Sequence, residues 1–196
     1  MSVRTPTHRG EWYWETFNPN ERRNGRDLAA LRRGIGRPAG DVPEMWRYYR
    51  SIVPEYEPSS HRLRAEHAAL ALFAVHQQSQ RARMHTAGVG LGTAVRKLNQ
   101  TGAYSSEAID RRMHETATAT SADELVSHLR GLITQLRSVA QPLDYTRLRQ
   151  DIEGWHSAYQ RARIRSRWGS EYFRWSSSDG TGAGAAQEAG ASDTAP

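Results

Sequence analysis

From Ser121 to Trp175 the chain reads SADELVSHLRGLITQLRSVA, then QP, then LDYTRLRQDIEGWHSAYQRARIRSRWGSEYFRW. This stretch constrains the fold more than any other. Leu125, Leu129, Leu132, Ile133, Leu136 and Val139 recur at three-and-four spacing, which lines one side of a helix with apolar groups. Ser121 followed by Glu124 is a capping-box pattern that writes in the helix start. Pro142 forbids continuation, because its ring clashes with the preceding turn and it offers no N–H. Asp144 can then cap a second, longer helix. So short a gap makes the two helices antiparallel neighbours, a helical hairpin.

The second helix changes face part-way. Tyr145, Leu148, Ile152, Trp155, Tyr159 and Ala162 make one stripe. Ile164, Trp168, Tyr172 and Trp175 make another, about half a turn round the axis at ~100° per residue. Either the helix bends near Gln160 or its far end packs on a different neighbour. RARIRSRW also alternates like a strand, but Arg and Ala favour helix and the flanking stripes have helical period.

Upstream, EWYWETF at 11–17 concentrates aromatics and is expected to dock on the body. Asn20 or Asn24 can cap a helix through Asp27, Leu28 and Leu31 that ends in LRRGIGRPAG, with Gly34 and Gly36 placed for positive φ. Arg32 and Arg33 lie in its last turn and complement the helix dipole whatever else they do. Asp41 and Pro43 open a short helix, VPEMWRYYRSI, stopped by Pro54; Trp46 and Tyr49 read as core rather than as base-stacking platforms. From Ser60 a helix runs to about Gln80. Its middle, AALALFAV, is apolar on every side, so Ala68–Val75 is a central buried helix. Gly88, Gly90 and Gly92 form a G-x-G-x-G loop, with Thr93 where a dinucleotide fingerprint needs glycine and no preceding strand. A tight loop with close helix approach fits better, although a phosphate could rest at the start of TAVRKL. SSEAIDRRMHETATA makes a further helix with Arg111 and Arg112 exposed beside Met113.

These readings give an all-α helical bundle of about seven to nine helices, with a long C-terminal helical hairpin. Residues 11–175 form a single domain with an N-terminal half (11–84) and a C-terminal half (88–175). Residues 1–10 and the core-poor tail 176–196 are expected to be disordered. No apolar run approaches the ~18 residues of a membrane span, and the N-terminus lacks a signal-peptide core. There are no cysteines, which excludes disulfides, thiolate zinc sites and thiol nucleophiles and fits a cytoplasmic protein.

Charge supplies the functional lead. The chain carries a net +6. Setting aside 1–10 and the acidic tail leaves 25 basic and 18 acidic side chains in 11–175, and Lys97 is the only lysine. The planar fork of arginine suits phosphate. Chemistry finds little support. Glu153-x-x-His156 has the spacing of di-iron bundles, but the second copy and further inward glutamates are missing, and no HExxH or GxSxG occurs. His67 and His76 lie on or beside the buried helix and read as satisfied core histidines. No catalytic residue, metal ligand or cofactor is assigned.

LRRG at 31–34, GVGLGTA at 88–94, SSEAIDRR at 105–112 and the 121–175 hairpin, in this order, resemble CasB, the small-subunit family of the type I-E CRISPR surveillance complex Cascade. The resemblance covers about 11–175. It departs after Arg112, where the family usually has an aromatic and then leucines and this chain has Met113, Thr116 and Ala117. The resemblance implies a non-catalytic, all-helical subunit present in two copies. Its partners would be guide RNA, both strands of target DNA and the other Cascade subunits, and it would stabilise the R-loop and the displaced strand. Matching motif by motif, the nucleic-acid-binding candidates are Arg32 and Arg33, Arg111 and Arg112, and Arg130. Arg137, seven residues after Arg130 on the same flank of the helix, joins them, and charge clustering adds Arg62, Arg64, Arg96 and Lys97. Arg161, Arg163, Arg165 and Arg167 spread around their helix, so at most half face one ligand. The alternative is a stand-alone helical DNA-binding regulator, which needs an outward recognition helix after a tight turn.

Overall fold

The computed structural model describes residues 11–21, 24–51 and 60–174, and their regular structure is helical throughout. Among them there is no strand, only an isolated bridge between His85 and Leu143. The expectations for residues 1–10 and 176–196, for Pro54 as a stop and for Trp175 as the last member of a stripe lie outside the described residues.

The centre of the bundle is α3 (His61–Gln77). Ser60 caps it by accepting from the Leu63 N–H at 3.2 Å, and Leu70, Phe73 and Ala74 are almost wholly enclosed, as an all-apolar run requires. Around it pack α2 (Asn24–Arg32), α6 (Ala122–Ser138) and α7 (Tyr145–Gly154). The N-terminal aromatics dock as expected. In α1 (Tyr13–Thr16) the Trp14 indole is buried and donates to Thr146 Oγ1 at 2.9 Å. Phe17 meets the Phe73 ring edge-on, with centroids 5.3 Å apart.

A second layer joins α4 (Leu91–Gln100) and α8 (Ala158–Tyr172), with α5 (Ser106–Thr118) against α6. The Gly-rich loop makes a close approach, and Gly92 is where it is tightest. A Cβ there would lie on the Trp168 carbonyl oxygen and 2.7 Å from the Glu171 Cβ, so α4 and α8 touch backbone to backbone.

The long second arm of the hairpin is two helices. α7 stops at Gly154 and α8 starts at Ala158, capped by Ser157, whose hydroxyl accepts from the Gln160 N–H at 3.4 Å. The break resolves the change of face, since α7 lies chiefly on α3 while α8 lies on α4. It also corrects the first stripe: Trp155 is buried, but Tyr159 and Ala162 are exposed because they belong to the next helix. The two arms touch each other less than each touches α3.

The turn between them is fixed by Asp144, which accepts from the Arg147 N–H at 3.0 Å and the Gly88 N–H at 2.7 Å. Tyr145 N donates to His85 Nδ1 at 3.1 Å. We expect Asp144→Ala to cost about 1–2 kcal/mol, read as a lower urea midpoint, because a cap and a bond to the glycine loop go together.

His67 and His76 are core histidines. His67 donates from Nε2 to the Gly34 carbonyl at 2.8 Å, and its Nδ1 meets the Tyr49 hydroxyl at 2.6 Å. His76 Nδ1 meets Tyr145 Oη at 3.0 Å, while its Nε2 is buried without a partner. Buried Glu66, two residues before the apolar run, accepts from the backbone N–H groups of Arg50 and Ser51 at 2.6 and 2.8 Å.

Candidate nucleic-acid interface

The arginines divide by what they touch. On α7 and α8 they are structural. Arg167 pairs with Asp151, whose other oxygen accepts from the Trp168 indole at 2.8 Å. Burial raises the Asp151 carboxyl above its usual range even though Arg167 opposes this. Arg147 reaches Glu171 at 2.8 Å, and Arg149 reaches Glu153 at 2.6 Å. Arg161 and Arg165 donate to the carbonyls of Thr120 and Ala119, at 2.5 and 3.2 Å, at the corner after α5. Arg163 and Arg165 of the RARIRSRW run are exposed; Arg165 also lies over the Trp155 ring at 5.5 Å, and Arg163 over the Tyr159 ring at 5.7 Å.

The ten candidates from the sequence are placed otherwise. Three are ion-paired: Arg33 with Glu44, Arg64 with Asp123 at 3.2 Å, and Arg111 with Glu115 at 3.9 Å. These pairs are exposed and weak, so a phosphate competes for them readily. Arg32, Arg62, Arg96, Lys97, Arg112, Arg130 and Arg137 form no ion pair among the described residues. Arg62, Lys97, Arg112 and Arg130 are exposed, and Arg32 and Arg96 are half-buried. Arg137 is half-buried and turned to the end of α3, where it donates to the Val75 carbonyl at 3.3 Å and to Gln78 Oε1 at 3.2 Å. It complements the negative end of that helix.

The fold lays Arg112 against the turn of α6 that carries Arg130. Ile109, Met113 and Thr116 hold α5 on α6, so Met113 and Thr116 serve where larger groups were looked for. The outer side of α5 then carries Arg111 and Arg112. The Arg112 guanidinium crosses to α6 and sits 3.0 Å from the place a Cβ on Gly131 would take. Gly131 directly follows the outward Arg130. A glycine within a helix costs ~1 kcal/mol relative to alanine. Here it leaves room for the guanidinium, and that mid-helix glycine was the signal in the sequence that could have revealed the pairing.

Three other expectations change. The start of α4 is already faced by an anion: the Glu171 carboxylate, itself held by Arg147, lies against Gly90. Gly34 does not have positive φ, whereas Gly36 does (φ +70°); Gly34 is instead packed against Met45 and the His67 ring. Tyr49 is buried, but Trp46 is 53% exposed, against its reading as core. Pro43–Tyr48 is a 3₁₀ helix, and Tyr49 beyond it is extended, so the two rings part company. Glu153 is bonded to Arg149 while the His156 ring stacks on His61, 3.6 Å between centroids. Among the described residues no three His, Asp or Glu groups converge as metal ligands.

The model of the CRISPR-associated protein Cse2 family matches residues 27–173. The crystal structure of CasB from Thermobifida fusca is similar at 34% identity over 75% of this chain and 83% of that one, with a TM-score of 0.62. A chain of a CRISPR RNA-guided surveillance complex is similar at 28% identity over 76% and 82%, with a TM-score of 0.59. A CRISPR-associated protein of the Cse2 family from Thermus thermophilus shares the fold at 22% identity, over 79% and 90%, with a TM-score of 0.60. No curated protein matches the chain.

Proposed function

Because this chain belongs to the CRISPR-associated Cse2 family, we propose that it is a non-catalytic subunit of an RNA-guided surveillance complex that holds nucleic-acid backbones without reading sequence. An R-loop exchanges one duplex for another at nearly balanced free energy, so a few backbone contacts tip it. Arginines on a rigid helical surface supply such contacts by charge and counterion release. Guide RNA, the target strand and the displaced strand are the ligands, and the other complex subunits and a second copy of the chain are the protein partners. Arg32, Arg33, Arg62, Arg64, Arg96, Lys97, Arg111, Arg112, Arg130 and Arg137 are the contact set. Arg112 and Arg130 are its centre and Arg137 its least available member.

The observation that carries this reading is the Arg112 crossing onto α6 next to outward Arg130, neither ion-paired among the described residues. The recognition-helix alternative loses support because α7, the helix after the tight turn, buries Tyr145, Leu148, Arg149 and Ile152 on the core.

In a salt titration of binding to unrelated DNA sequences, Arg112→Ala with Arg130→Ala should weaken affinity about tenfold on all of them. It should also reduce the slope of log K against log salt by about two. Loss confined to one sequence would favour the regulator, and an unchanged slope would remove these residues from the interface.

A further inference from the structure

Among the described residues three large aromatic side chains are exposed: Trp46, Tyr159 and Phe173. Arg163 covers the Tyr159 ring, and Phe173 meets Tyr172 edge-on. The Trp46 ring has neither an aromatic nor a cationic partner among the described residues. Yet it is held in place, because its Nε1 donates to the Gly40 carbonyl at 2.7 Å. The loop carrying Gly40 folds back on the 3₁₀ helix through positive φ at Gly36 and Gly40, which only glycine accepts readily.

The same fold-back gathers cations. Arg33 pairs with Glu44, Arg37 sits in the turn that its own N–H closes on the Gly34 carbonyl at 3.1 Å, and Arg47 follows Trp46 directly. Glu44 and Arg47, three apart in a 3₁₀ helix, share a face. A positioned, open indole on a surface segment that also carries arginines suits unpaired bases, since every base has a face to stack and every linkage a phosphate to pair.

We propose that Trp46 is a stacking platform for an unpaired nucleobase of single-stranded nucleic acid, with Arg33, Arg37 and Arg47 holding the flanking phosphates. This rests on the nucleic-acid reading above and adds to it a preference for single strands.

The test uses the full chain with an oligothymidylate single strand and a blunt duplex of equal length. Trp46→Ala should lower single-strand affinity about fivefold or more, the range for one stacked base, and leave duplex affinity unchanged. Trp46→Phe, which gives up the bond to Gly40 but keeps a ring, should retain most of the single-strand affinity. Because no charge is removed, the salt slope should not move in either variant. Arg37→Gln with Arg47→Gln should instead reduce that slope on the single strand by about two. Equal losses on single strand and duplex, no loss on either, or loss of protein-subunit binding alone would each overturn the platform. Failure of the unaltered chain to bind any nucleic acid would overturn the underlying reading instead, and the two failures are told apart by the unaltered protein.

Discussion

On acidification from pH 7.5 to 5.0 the chain should lose about 2 kcal/mol of folding stability through His76 alone. Burial pushes His76 down to about 3, against some help from the Gln141 backbone and with a further push from Arg137. Its folded pKa is therefore below its unfolded value near 6.5. The unfolded chain binds a proton that the native one refuses, so stability is complete above about pH 6.5 and falls as pH drops toward 3. At pH 5 the deficit is about 1.5 pH units at 1.36 kcal/mol each, about 2 kcal/mol. Burial also lowers His67 and His85, so both add in the same direction. Urea unfolding at the two pH values measures the sum. His76→Gln, which keeps a polar contact for Tyr145 and cannot titrate, should flatten the dependence by about one proton; an unaltered dependence would remove His76 as its source.

Gly92→Ala should be the most damaging single methyl in the chain, at about 3 kcal/mol or more. Overpacking usually costs about 1–3 kcal/mol because side chains give way. Here the added carbon meets the Trp168 carbonyl and the Tyr172 amide, which is 3.0 Å away, and backbone cannot give way without moving α8. Gly169, on α8 itself, has nothing within 4 Å of an added Cβ. Gly169→Ala should be neutral or stabilising by up to about 1 kcal/mol, from helix propensity alone. A urea midpoint for Gly92→Ala close to that of Gly169→Ala would mean that α4 and α8 do not meet as described.

The helices that could be read from the chain are those whose local chemistry and tertiary use agree. α3 is apolar and buried on every side from Ala68 to Val75. α6 has one stripe and one buried side, and Ser60, Ser121 and Asp144 cap where their side chains allow. The break after Gly154 was harder to place, because Trp155 and His156 are not strong helix breakers; the change of face put a bend near Gln160, and only Gly154 with Ser157 marked where the helix stops. The candidate surface was legible as residue type but not as availability. Arg167 and Arg130 look alike in sequence. One finds Asp151, sixteen residues upstream and buried, and the other finds none, a difference that exists only after α8 has folded back beside α7. Trp46 went unrecognised because a three-residue period, followed by an extended Tyr49, cannot be told locally from the α-helical spacing of a core pair.

The hydrogen bond from His67 to Gly34 has a consequence for the arginines that flank it. The LRRG corner is an outrigger, but a stay runs from it to the keel of the molecule, and Tyr49 tightens that stay from the other side. A nucleic-acid strand settling there would find the corner already set in place, and little of its attraction would go into stilling a restless loop.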